Sequence, residues 1–443
     1  YDIIFTGGIM KFSIITLGCK VNTYESEAMK ELLIKDGYIY NENYQNSDIV
    51  IVNTCSVTNM ADTKSKKIIR RVKRENPNCI LVVCGCSSQN HKEEYEELDI
   101  DILLGNVKKS MVSSLIKNYL EDKRKYYYIT DNRDLGFESM SVKKFTKQTR
   151  AYLKIQDGCN NFCSYCIIPY VRGTIRFKNF TECLKEACIL VNSGHKEIVL
   201  TGIHTGSYHD SGHDLVDLIH ELKKIDGLEQ IRISSIEITE LNDKFMEELK
   251  TNPKICDHIH IPLQSGSNYI LKKMNRKYDC NYYRDKINLI RSIRKDISIT
   301  TDVIVGFPQE TEEDFEESYE FVKNIHFYET HIFKYSRRQG TKAADMPDQI
   351  PESIKGDRSH VLLKLHEQNK TAYIRRFIGQ PLEVLFEEKI EVDGESMWSG
   401  YSREYIRVLW KTTENLENKL YKVTAQTTDT KEEALIVAEG ETL

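Results

Sequence analysis

Between Gly158 and Cys166 the chain reads Gly-Cys-Asn-Asn-Phe-Cys-Ser-Tyr-Cys, which places Cys159, Cys163 and Cys166 within eight residues. One short loop with this spacing can wrap a single iron–sulfur cubane and bind three of its irons, whereas such clusters are usually held by four thiolates. A structural zinc site needs four protein ligands, and no Cys or His follows soon enough to complete a set locally. A disulfide plus a spare thiol does not suit a reducing compartment. Zinc and inert thiols stay open as alternatives, but a cluster with one iron free for a substrate or cofactor is the favoured reading.

The C-x3-C-x2-C spacing, with Tyr165 just before the third cysteine, resembles the signature of the radical S-adenosylmethionine (SAM) enzymes. The strand-like run from Arg150 to Gln156 ahead of it strengthens the match. The resemblance implies a 4Fe-4S cluster on Cys159, Cys163 and Cys166, with Tyr165 beside the cofactor. Its open iron would chelate the amino and carboxylate groups of SAM. An electron passed to the sulfonium would then release methionine and a 5′-deoxyadenosyl radical.

A chain of 443 residues is too long for one ordinary core, so two or three domains are expected. No apolar run approaches the roughly 18–20 residues of a membrane span. The N-terminus lacks the charged region of a signal peptide, and residues 1–9 are read as preceding the natural start, because a clean strand pattern follows Met10. The twelve cysteines show no disulfide-like repeat and suggest metal chemistry in a reducing, cytoplasmic setting. A net charge of −5 does not announce a nucleic-acid binder. Local charge says more: Lys64, Lys66, Lys67, Arg70, Arg71, Lys73 and Arg74 crowd one helix, either a solvated face or a phosphate-binding stripe.

Residues 10–122 alternate continuous apolar strands with amphipathic helices, which predicts a parallel α/β sheet with ligands at the carboxyl ends of its strands. Cys19, Cys55 and Cys86 each follow a strand, and parallel strands would gather them on one rim as a second metal-binding trio. Cys79 and Cys84 belong to a strand and are read as packing. Residues 123–144 are polar and aperiodic, a connector. Residues 145–375 contain six strand–helix units, a partial (β/α)6 barrel with chemistry at the strand ends. There Ser235, Glu237 and Gln264 are hydrogen-bonding groups placed to hold a polar cofactor, while His204 is the weaker candidate. Residues 376–443 hold five short strands between polar turns, a small antiparallel β-barrel. Tyr401, Arg403, Tyr405 and Arg407 interleave aromatic and basic groups as RNA-stacking surfaces do, a pattern that ordinary strand aromatics also give.

From Met10 onward the chain resembles the methylthiotransferases. The resemblance rests on the six strand-end and loop cysteines, on His260-Ile-Pro-Leu-Gln-Ser-Gly-Ser267, on Thr301-Asp-Val-Ile-Val-Gly-Phe-Pro308 and on Tyr335-Ser336. It implies an auxiliary 4Fe-4S cluster on Cys19, Cys55 and Cys86, two SAM molecules per turnover, and a C-terminal RNA-binding TRAM barrel. It also implies a reductant such as flavodoxin or ferredoxin. Thr16–Ser26 and His331–Ser336 look most like the branch that methylthiolates C2 of N6-threonylcarbamoyladenosine-37 in the tRNA anticodon loop. Lys334 and Gln339 depart from it, standing where prolines are expected. Branches acting on N6-isopentenyladenosine-37 or on a ribosomal-protein aspartate share the cysteines. A non-enzymatic cluster carrier is the reading from another class.

Overall fold

The apolar runs of the first third form a six-stranded, all-parallel sheet. Its spatial order is Ile39–Tyr40, Lys11–Thr16, Ile49–Thr54, Ile80–Gly85, Ile102–Leu104, Tyr126–Tyr128. Ile49–Thr54 and Ile80–Gly85 are buried along their whole length, because helices cover both faces of the sheet. Alternate residues feed two cores. Ile49, Ile51 and Val82 pack with Met29, Leu33 and Leu115 on one side. Val50, Val52 and Leu81 pack with Ile69, Val72 and Tyr95 on the other. Each such side chain contributes about 1.5–3 kcal/mol on leaving water. Strand Tyr126–Tyr128 lies inside the expected connector and closes one sheet edge, with Tyr126 and Tyr128 stacked. This computed structural model describes residues 9–131, 135–429 and 431–443. Segment 1–9, read as preceding the natural start, lies outside them apart from Ile9, and so do residues 132–134 of the connector.

A second parallel sheet runs Ala151–Lys154, Glu197–Thr201, Gln230–Ile233, Ile255–His260, Ser298–Val305, Glu329–Lys334, its spatial order following the chain. This is the expected six-unit, barrel-like sheet. Helices such as Phe180–Asn192, Cys280–Ile293 and Glu312–Ile325 return the chain between strands. Helix Glu352–Arg375 leads on to a closed five-stranded barrel. Four of the barrel's pairings are antiparallel, and the closing pair, Arg407–Trp410 with Ala434–Thr442, is parallel.

The chain divides into two compact units. The first joins the N-terminal sheet, through Lys143, to Lys154–Lys178 and Ser336–Ala344; the second holds Lys144–Leu153, Asn179–Tyr335 and Asp345–Leu443. The loop bearing Cys159, Cys163 and Cys166 therefore belongs with the N-terminal sheet.

Candidate active site

In the first sheet the chain winds one way from Lys11–Thr16 to Ile39–Tyr40 and the other way from Ile49–Thr54 onward. The switch point thus lies between Lys11–Thr16 and Ile49–Thr54, where open α/β sheets bind ligands. Cys19 and Cys55 leave the ends of those two strands and Cys86 the end of the next. The three thiols converge: Cys86 and Cys19 both bear electrostatically on Cys55, and Cys19 also on Cys86. Gly18 makes this approach possible. Its φ is +104°, and a Cβ there would stand 2.8 Å from both Cβ and Sγ of Cys55. Burial pushes the Cys55 thiol up to about 11 and the Cys86 thiol upward as well. Bare thiols at these positions are protonated and inert, and a metal would have to displace the proton. Cys84, wholly buried and pushed up to about 12, and Cys79 are packing residues.

Cys159, Cys163 and Cys166 are all half-exposed on their loop. The Cys159 N–H donates to Gly173 O at 3.2 Å, the Cys166 N–H to Cys163 O at 2.9 Å, and the Asn161 N–H to Cys159 Sγ at 3.4 Å. Gly158 (φ +71°) admits the turn, since a Cβ would lie 2.1 Å from Thr174 O. Tyr165 is half-buried. Beyond the loop, helix Ile168–Arg172 sets Ile167 and Val171 against Cys86. Asn106 ties that helix to Cys86, donating to Val171 O at 2.7 Å and accepting from Cys86 Sγ at 3.5 Å.

Beneath both trios lies a buried ionic network. Arg172, fully buried, donates to Glu25 (3.1 Å), Asp157 (3.0 Å) and Asn22 Oδ1 (2.7 Å). Lys154 bridges Glu25 (2.6 Å) and Asp157 (2.7 Å), Lys109 pairs with Glu25, and Arg176 lies 3.5 Å from Asp157. Burial raises the Glu25 and Asp157 carboxyls, but the surrounding cations outweigh it and hold both below the usual range. Two carboxylates, Glu25 and Asp157, thus bind four buried cations at this point, a concentration of charge that burial makes costly. Arg172 Nε is also buried without a hydrogen-bond partner among the described residues. A cluster held by thiolates carries negative charge, so a buried arginine with an orphaned donor fits one bound at Cys19, Cys55 and Cys86. Arg172 already feels Cys86 and Cys19 electrostatically.

Sequence reasoning missed Arg172, and it missed Arg338 as well. Arg338, from the Ser336–Ala344 segment, donates to Asp62 (2.6 Å), Asn59 Oδ1 (2.7 Å) and both Ser56 O and Oγ (2.7 Å each), next to Cys55. In the same segment the Ala343 N–H donates to Ser164 O at 2.8 Å.

In the second unit, Ser235 and Glu237 follow strand Gln230–Ile233. Glu237 caps the turn Ile238–Glu240 and pairs with Arg276. Gln264, at φ +70°, extends the sheet: its N–H donates to Asp302 O (2.8 Å) and its O accepts from the Ile304 N–H (2.9 Å). His204 pairs with Glu240 at 2.5 Å. The four residues of the expected RNA-facing quartet are half-exposed and contact neighbouring protein groups. Tyr401 and Tyr405 stack on each other and under the Arg150 guanidinium, and Tyr405 also stacks on His258. Arg403 binds Asp257 and Ile255 O, and Arg407 binds Glu432. Tyr405 and Arg403 join the small barrel to the six-stranded sheet, whereas Arg407 is held within the barrel.

Residues 153–322 match the family described as the radical SAM superfamily, and residues 11–105 match uncharacterized protein family UPF0004. The chain is 42% identical, over 92% of both chains, to threonylcarbamoyladenosine tRNA methylthiotransferase MtaB of Bacillus subtilis (strain 168). It is 35% identical to the tRNA-2-methylthio-N(6)-dimethylallyladenosine synthase of Carboxydothermus hydrogenoformans, over 93% of this chain and 96% of that one. Among solved structures it resembles the radical SAM methyltransferase TsrM from Kitasatospora setae, with a TM-score of 0.55 at 12% identity over 76% of this chain and 77% of the other. That likeness shows the shared fold.

Proposed function

The chain belongs to the radical SAM methylthiotransferase family, and on that basis we propose that it methylthiolates C2 of N6-threonylcarbamoyladenosine-37 in tRNA. The observation that carries the reaction is the pairing of two cysteine trios on one compact unit, around a shared, positively charged network. The choice of base rests on similarity: 37–42% identity to threonylcarbamoyladenosine enzymes against 34–35% to dimethylallyladenosine enzymes.

In this reading Cys159, Cys163 and Cys166 hold a 4Fe-4S cluster, and three thiolates leave one iron for SAM. A cluster held there would supply the electron for reductive cleavage of SAM, the radical chemistry that reaches a C2–H bond closed to acid–base catalysis. Cys19, Cys55 and Cys86 hold a second cluster for sulfur delivery, and Arg172 offsets its charge. Tyr165, Ser235, Glu237 and Gln264 serve SAM, of which one molecule gives the methyl group and a second the radical. A flavodoxin or ferredoxin is the reductant, and the exposed basic face of helix Asn59–Glu75 receives tRNA phosphates.

The test is mass spectrometry of tRNA nucleosides from cells lacking the gene, with and without its restoration. Loss and rescue of methylthio-threonylcarbamoyladenosine is expected. Loss of the isopentenyl form instead would overturn the choice of base, and no change in either nucleoside would overturn the RNA substrate. In purified protein, Cys163→Ala should abolish SAM cleavage and keep the N-terminal cluster's spectrum. Cys55→Ala should keep SAM cleavage and lose sulfur insertion.

A further inference from the structure

The six-stranded sheet carries a side-chain cluster that the proposed reaction does not use. His260 ends strand Ile255–His260, and its register partner is Thr300 on the neighbouring strand. Two residues on from Thr300, and so on the same face, stands Asp302, whose register partner on the next strand is His331. Three successive parallel strands thus present two imidazoles and a carboxylate to one spot. The ligand atoms of His260, Asp302 and His331 all lie within 4.8 Å of one another, the one such His/Cys/carboxylate trio among the described residues.

Three details separate this from an incidental ion pair. His260 Nδ1 contacts Thr300 Oγ1 at 3.0 Å, which fixes the ring and leaves Nε2 facing Asp302. The Nε2–Oδ2 distance is 3.4 Å. That is long for a charge-assisted hydrogen bond, about 2.7–2.9 Å. It matches the separation of about 3.3 Å between two ligands each about 2.0–2.1 Å from a tetrahedral ion. Asp302 also has no lysine or arginine ion-pair partner among the described residues, although its side chain is only 27% exposed.

We propose that His260, Asp302 and His331 form a mononuclear site for a divalent transition-metal ion, separate from the six cysteines. Two imidazoles and one carboxylate suit Zn2+, Fe2+, Co2+ or Mn2+, and three protein ligands leave positions open to water or a carboxylate oxygen.

Mn2+ is the probe, because it is a poor competitor for thiolate sites. Cluster-replete protein, freed of loose metal with chelator, is titrated anaerobically with Mn2+, and free Mn2+ is read by electron paramagnetic resonance. One equivalent should bind per chain. His331→Ala and Asp302→Asn should each weaken binding at least tenfold with the iron–sulfur absorption unchanged, which reports an intact fold. His331 is exposed, so its truncation leaves no core cavity. No uptake by the parent protein, or unweakened uptake by either variant, overturns the site.

Discussion

Arg172 does for the cysteines what no cysteine motif announces. Its fork spans Glu25, Asp157 and Asn22, with Nε left over beside Cys19 and Cys86. Removing a buried positive charge makes adding an electron nearby harder. Arg172→Met should therefore shift the midpoint potential of the N-terminal cluster negative by on the order of 60 mV, a tenfold change for one electron. Arg172→Lys should shift it less, since charge is kept and the planar fork is lost. A redox titration followed by electron paramagnetic resonance reads both. At Gly158 the constraint is steric: Gly158→Ala should cost the protein about four irons per chain, read by iron analysis. The grouping of the cysteines was legible because strand ends of one parallel sheet share a rim and a tight loop keeps its own residues together. Arg172 was not, because its partners Glu25 and Asn22 lie 147 and 150 residues away. The protein contacts of Tyr401 and Arg403 were not legible for another reason: stacking on RNA and stacking on a neighbouring sheet ask for the same residue types.

Helix Asn59–Glu75 shows how an element divides its charges. Lys66 pairs with Glu94, and Lys73 with Asp99 and Asp101. Lys64, Lys67, Arg71 and Arg74 are exposed and recur at helical spacing along one face. If that face meets tRNA phosphates, replacing all four by alanine should weaken binding at low salt. It should also reduce the slope of log K against log salt by roughly 3, as filter binding across salt would show. Five of the seven expected cations, these four and Arg70, are exposed; Lys66 and Lys73 turn to acids on other segments, which sequence alone does not reveal. Short elements were the other blind spot. Ile39–Tyr40 and Tyr126–Tyr128 are too brief for a period to show, and their strand character comes from pairing with longer neighbours.

Across the whole molecule, single buried arginines hold distant segments together. In the second unit Arg232 binds Glu197 at 2.7 Å and donates to Ser402 O and Arg403 O at 3.2 Å each, joining the six-stranded sheet to the small barrel. Arg232→Ala removes the buried cation that Glu197 binds through both oxygens, and should cost about 3–5 kcal/mol, seen in thermal unfolding and in faster proteolysis of the barrel. In the first unit Arg338 plays this part for Asp62. Burial opposes that carboxylate, but His91, Ser87 and Arg338 hold it down at about 2, against 3.8 when unfolded. Its contribution is therefore complete above the unfolded value and lost as pH falls towards 2. The stability penalty of Arg338→Ala, read by chemical unfolding, should accordingly shrink between pH 5 and pH 3 as Asp62 is protonated, and a penalty that did not fall would contradict the pairing. The strand–helix alternation of both sheets was readable from periodicity, but the return of Ser336–Ala344 to the first unit was not, since nothing local marks it. That return has a consequence in time. Asp62 leaves the ribosome 276 residues before Arg338. At 5–20 residues per second this is roughly 15–55 s of synthesis. The N-terminal sheet must therefore wait, with an acid lacking its cation beside Cys55, until nearly the whole barrel sheet has been made. Closure of the N-terminal cysteine site is thereby tied to near-completion of the enzyme that uses it.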